Sequence, residues 1–198
     1  MNRLIACGLF LGLGLLAAEG GQPPPKTGDA KTEKQDPQSS FEPRSKPGVG
    51  QKFLEKFVGT WTVVKTLNRR TGEPVKQTGE CRQTMVHEGR FLQSEFTFEG
   101  EAGKTTGTGL IGFEPDTSKF TSVWIDSRQT RMSLRQSEGK FEGETIVLFS
   151  KGLDGPEQRR SRTITKLEDE GKKIIHRQFG LNADGTERLV MELAMTKK

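Results

Sequence analysis

From Gly59 to the last lysine the chain is a train of short runs in which apolar and polar residues alternate, opened by Gly59-Thr60-Trp61 and cut by glycine-rich turns. A period of two is the mark of a strand with one face buried. Ten such runs are predicted, near residues 60–67, 75–86, 90–99, 104–113, 119–126, 130–137, 141–150, 157–167, 172–181 and 186–196. The residues between them suit tight reversals: Arg70-Thr71-Gly72-Glu73, Pro115-Asp116-Thr117-Ser118, Asp154-Gly155-Pro156 and Asn182-Ala183-Asp184-Gly185 reach positive φ cheaply or pre-set the turn. Strands spaced so evenly argue for an antiparallel meander. An open sheet of this length leaves two unpaired edges, each a template for aggregation, and curling into a closed barrel removes both. The expected fold is all-β, an up-and-down barrel of about ten strands. Ahead of it Phe53, Leu54 and Phe57 fall at helical spacing and stop at Gly59, which predicts a short helix plugging one end.

The N-terminus has a different character. Met1-Asn2-Arg3 is a short basic lead, Leu4 to Leu16 is an apolar run too short to span a bilayer, and small residues follow at Ala17-Ala18-Glu19-Gly20. Residues 1–20 read as a secretory signal, with an uncleaved anchor as the alternative, so the protein is expected to be exported to a periplasmic or other extracytoplasmic site. Leu4-Ile5-Ala6-Cys7 has the order of a lipobox, but its cysteine precedes most of the apolar run, which assigns Cys7 to the discarded signal. Lipidation at Cys7 would need a start further upstream. Residues 21–48, with Pro23-Pro24-Pro25 at their head and Phe41 their one large apolar residue, cannot build a core and read as a disordered tether. The barrel domain is then 49–198. Cys81 is its single cysteine, so no intrachain disulfide forms and a buried thiol is expected.

Charge is modest. From Pro47 onward 25 Lys and Arg stand against 21 Asp and Glu. The clusters Arg69-Arg70, Arg128 with Arg131 and Arg135, and Arg159-Arg160 with Arg162 read as solvated faces. Export and the lack of interleaved stacking aromatics argue against a nucleic-acid partner, and no membrane span is expected after processing. His87 and His176 are the only histidines and neither has a second ligand at metal spacing, so no metal site is predicted. A haem ligand at His176 would require the fuller glycine-rich motif that haem-binding barrels carry after the first tryptophan, and no cofactor is implied. No nucleophile elbow or triad order is present, so no catalytic residue is assigned and an enzyme is the weaker hypothesis.

Alternation assigns the faces. Trp61, Val63 and Leu67 turn inward with Lys65 among them, as do Leu92, Phe96 and Phe98, then Phe141, Val147 and Phe149, then Leu189, Met191, Leu193 and Met195. Near 172–181 the more apolar row is Ile175, Phe179 and Leu181, which turns His176 outward and carries Arg177 into the interior. A buried guanidinium needs an internal carboxylate or an anionic ligand, and a fatty-acid-like carboxylate would satisfy it with two hydrogen bonds. An outward Arg177 is the alternative. Asp126, ending the strand that carries Trp124, is the acid of interest, with a turn acceptor for backbone N–H groups as its other reading. The candidate ligand-binding residues are Arg177, Trp61, Trp124 and Asp126, and Gly107, Gly109 and Gly143 leave interior space.

Gly89-Arg90-Phe91-Leu92-Gln93, Gly107 to Phe113, Ser122-Val123-Trp124-Ile125-Asp126 and Met191-Glu192-Leu193 with Thr196-Lys197-Lys198, in this order, resemble the bacterial domain-of-unknown-function family 1579 from about Phe57 to the C-terminus. Gly59-Thr60-Trp61 is also similar to the opening of the calycins, the superfamily of lipocalins and fatty-acid-binding proteins. The likeness implies a small antiparallel barrel with an interior cavity for a small apolar or amphipathic molecule, acids included. The alternative is a barrel filled by its own side chains that serves as an envelope interaction module. An even-numbered closed meander pairs its first strand with its last, which sets Trp61 beside Met195 and Lys197.

Overall fold

Among the described residues every strand has a hydrogen-bonded neighbour on each side, and the sheet closes on itself. The computed structural model describes residues 37–41, 44–100, 103–151, 161–182 and 184–198. From residue 45 these form a helix, α1 (Val49–Glu55), and ten strands: β1 (Gly59–Leu67), β2 (Val75–Val86), β3 (Phe91–Phe98), β4 (Thr105–Glu114), β5 (Lys119–Asp126), β6 (Ser133–Gln136), β7 (Thr145–Lys151), β8 (Ser161–Glu168), β9 (Lys173–Leu181) and β10 (Glu187–Lys197). Each strand pairs antiparallel with its neighbours in sequence and β1 pairs with β10, closing the barrel. The predicted signal, Cys7, most of the tether and the Asp154-Gly155-Pro156 turn lie outside the described residues. Within the first 44 residues, Pro37–Ser40 form a 3₁₀ turn in which the Phe41 N–H donates to the Gln38 carbonyl at 2.9 Å. Among the described residues no helix is long and apolar enough to cross a membrane.

The end of the barrel at which β1 starts is sealed. Register puts Trp61 opposite Lys197 and Val63 opposite Met195, and the Lys197 ammonium stands 5.4 Å from the Trp61 ring centre. Trp61 is wholly buried and donates its Nε1–H to the Phe57 carbonyl at 3.0 Å. Gly59 precedes it at φ +145°, where a Cβ would also stand 3.0 Å from Lys197 Cε. That combination gives Gly59-Thr60-Trp61 its physical basis. The helix lies across this end, fixed by Gln51, whose Nε2 donates to the Phe113 carbonyl at 2.8 Å while its Oε1 accepts the Gly48 N–H at 2.8 Å. Phe53 packs 4.9 Å from Phe141, and Phe120 lies 4.9 Å from both Phe141 and Phe113. These rings, with Leu54 and Phe57, make an aromatic floor.

Three face assignments are corrected. On β7 it is Ile146 and Leu148 that are buried, not Val147 and Phe149. Phe141 leaves the wall because the chain from 137 to 144 is a loop, with Gly143 at φ +99°, so neither Phe141 nor Gly143 extends the strand. On β10 the register to β9 slips between Leu189 and Met191, a bulge that places Leu189 beside Phe179 and leaves Met191, Leu193 and Met195 as the inner row. On β9 the inner row is Ile174, His176 and Gln178, the reverse of the expected phase.

Candidate functional site

A cavity of about 330 Å³ runs from the helix end to the opposite rim. Its floor is apolar, formed by Leu54, Phe57, Ile146, Leu148 and Ile174. Higher up the walls turn polar. Gln83, Ser94, Thr163 and Lys65 are buried, and Gln83 Nε2 donates to Ser94 Oγ at 2.9 Å while its Oε1 has no partner. The charged lining residues are Lys65, Asp126, Arg128 and Arg135, three cations against one acid.

Asp126 is spoken for. Its Oδ1 accepts the Arg128 backbone N–H at 2.9 Å and its Oδ2 accepts Arg128 Nη2 at 2.8 Å and the Trp124 indole N–H at 3.1 Å. The Arg128 hydrogen bond, helped by that of Trp124 and opposed by burial, holds its carboxyl at about 2. Among the described residues no carboxylate pairs with Lys65, whose ammonium sits 3.8 Å above the Phe98 ring centre. Burial, then the nearby Arg128, lower its pKa, and Asp126 acts the other way. Arg135 is more isolated still. It stands opposite Ser122 on the inner face, its Nε is buried without an acceptor, and among the described residues no carboxylate pairs with it. Burial lowers its pKa.

His176 lines the cavity, its Nδ1 2.8 Å from Thr165 Oγ1. Removal from water, and next the Arg135 charge, push its pKa down to about 4. An unfolded histidine titrates near 6.5, so on acidification the unfolded chain takes up the proton first and stability falls from about pH 6.5 to about pH 4. The full span is worth up to about 3 kcal/mol. Urea unfolding at pH 7 and pH 4.5 should therefore show a loss that His176→Gln abolishes. A variant with the same pH slope as the parent would show that other groups carry it.

The structure treats the four candidate residues differently. Trp124 and Asp126 line the cavity, whereas Trp61 belongs to the sealed end. Arg177 is corrected: it lies on the outer surface, exposed, with its Nε donating to Glu192 Oε2 at 2.7 Å. Arg135, His176 and Lys65 take the interior polar role expected of Arg177. The space expected over Gly107 and Gly109 is filled by the Trp124 ring.

The sequence signature of a family described as "Protein of unknown function (DUF1579)" matches residues 46–197. The chain belongs to that family. This DUF1579 barrel is similar in fold to the S-type phycobiliprotein lyase CPES from Guillardia theta, at TM-score 0.52 and 10% identity over 75% of this chain and 92% of the other. It is similar also to Rv2717c from M. tuberculosis, at TM-score 0.55 and 15% identity over 78% and 99% of the two chains. Identities so low speak for the fold alone, a closed antiparallel barrel. No curated protein matches the DUF1579 chain significantly.

Proposed function

We propose that this protein is an exported carrier or receptor for a small amphipathic acid, held inside the barrel with its acid group on Arg135. The observation that carries the reading is a cavity with an apolar floor and, in its wall, a guanidinium to which no described carboxylate pairs. An uncompensated interior charge is costly, and a ligand carboxylate offsets that cost with charge-assisted hydrogen bonds. Lys65 adds a second interior cation. Binding is favoured over catalysis because the obvious reactive groups are committed. Asp126 is tied to Arg128 and Trp124, the His176 imidazole is held neutral against Thr165, and burial raises the Cys81 thiol far above its ordinary range. The lyase among the fold neighbours acts, by its name, on phycobiliproteins. Export rests on the reading of residues 1–20 as a signal.

Native mass spectrometry of the protein purified from its own host tests both halves. The expected polypeptide begins between Glu19 and Gly21, and a small acidic molecule leaves it on unfolding. Met1 intact in envelope fractions would overturn cleavage of the signal in favour of an uncleaved anchor, and Met1 intact in the cytosol alone would overturn export. A bare barrel that also fails to bind any added amphipathic acid would overturn the ligand.

A further inference from the structure

Trp124 is held in a way that bears on the shape of the ligand. Its indole lies flat along β4: a Cβ on Gly107 would stand 2.3 Å from Trp124 Cζ2, and one on Gly109 would stand 3.4 Å from Cε3. At Gly107 only a backbone without a side chain lets the ring settle there, while at Gly109 the ring lies at ordinary contact distance. The ring is fixed in rotation as well, since its Nε1–H is bound at 3.1 Å by Asp126, itself clamped by Arg128. Phe96 stands 5.5 Å away with its plane at 68°, a side wall to the same corner. Trp124 nonetheless lines the cavity and is only half-buried, so ring surface is left to the interior.

The neighbour of this platform is Arg135. Trp124 pairs with Ser133 and Ser122 pairs with Arg135, which makes Trp124 and Arg135 diagonal neighbours on the inner face. Such diagonals lie about 7–8 Å apart at Cα, within reach of long and aromatic side chains. A flexible alkyl chain has no use for a clamped flat ring beside a cation, whereas a conjugated ring stacks on it.

Resting on the binding reading above, we infer that the ligand is an aromatic acid, its conjugated ring seated on Trp124 and its carboxylate on Arg135. The class is a flat ring system bearing a carboxylate directly, as in naphthoic acids, rather than a fatty acid.

The test compares 2-naphthoate with decahydro-2-naphthoate, the same carbon skeleton without the flat ring, by titration calorimetry on the mature protein. Stacking should make the aromatic acid bind about tenfold tighter. Trp124→Leu should bring the two acids to similar affinity by weakening 2-naphthoate alone, and Trp124→Phe, which keeps a ring should the leucine variant fail to fold, should retain most of the preference. Equal affinities for the parent protein, or a preference that survives Trp124→Leu, overturn the platform while leaving an acid-binding cavity. Binding of neither acid overturns the platform together with the binding reading.

Discussion

A chain stopped after Leu189 is expected not to fold. The nine residues lost, 190–198, hold most of β10, and β10 is the seam of the barrel. It is hydrogen-bonded to β1 on one side and to β9 on the other, so its removal exposes two strand edges at once. Beyond the ladder the Lys198 N–H donates to the Thr60 carbonyl and the Lys197 N–H to the Lys172 carbonyl, each at 2.9 Å. Leu193 and Met195 are buried at 8% and 3% exposure, and Lys197 covers the ring of Trp61. Truncating one such apolar side chain to alanine costs about 2–5 kcal/mol. Losing two of them together with both ladders exceeds about 5 kcal/mol, the lower bound of a typical domain's whole stability. Circular dichroism during urea titration should show a cooperative transition for the parent and none for the truncated chain. A truncated chain that still melted cooperatively would mean that closure through β10 is dispensable and that the cavity does not depend on it.

The barrel was legible in the sequence because hairpin punctuation and a period of two are local. Ten runs, a helical plug and the meeting of Trp61 with Lys197 follow from residue order and the need to close a sheet. The interior was less legible, and β9 shows why. The rule that the more apolar row faces in assumes a filled core, but a row lining a cavity is free to be polar. That rule therefore expects Ile175 and Phe179 inside, whereas the inner row is Ile174, His176 and Gln178. On the outside, Phe179 is partnered by the Arg162 guanidinium at 5.0 Å and by its ladder neighbour Leu189. Leu189 was misplaced for another reason: a bulge shifts the phase by one residue, and nothing in Leu189-Val190-Met191 announces it. Arg135 was hidden because β6 is only Ser133–Gln136, too short for alternation to be read. Its one signal was inheritance of phase from Trp124 across a hairpin whose length the sequence left open. By contrast the glycines of β4 stand out in the sequence, but their service to the Trp124 ring becomes visible only when β5 is laid beside them.

Replacing Arg135 by methionine should make the barrel more stable and the binding site nearly inert. The two effects have one origin. The guanidinium is drawn from water, burial lowers its pKa, and among the described residues its Nε finds no acceptor. An apolar side chain of similar length removes that burden and keeps the volume, and exchanges of this kind have raised stability by about 1–4 kcal/mol. With an acidic ligand bound the sign reverses, because the same guanidinium then supplies charge-assisted hydrogen bonds worth about 1.5–3 kcal/mol. Loss of that anchor weakens binding by roughly ten- to a hundredfold. Arg177→Met is the control: Arg177 is exposed and paired with Glu192 on the outer wall, where an ion pair contributes little, so neither melting nor binding should move by more than about 1 kcal/mol. Thermal melts without ligand and titration with an aromatic acid separate these terms. If Arg135→Met lowers stability and binding together, the arginine is a structural part of the wall. If binding follows Arg177 instead, the ligand sits on the outer surface and the cavity is not its site.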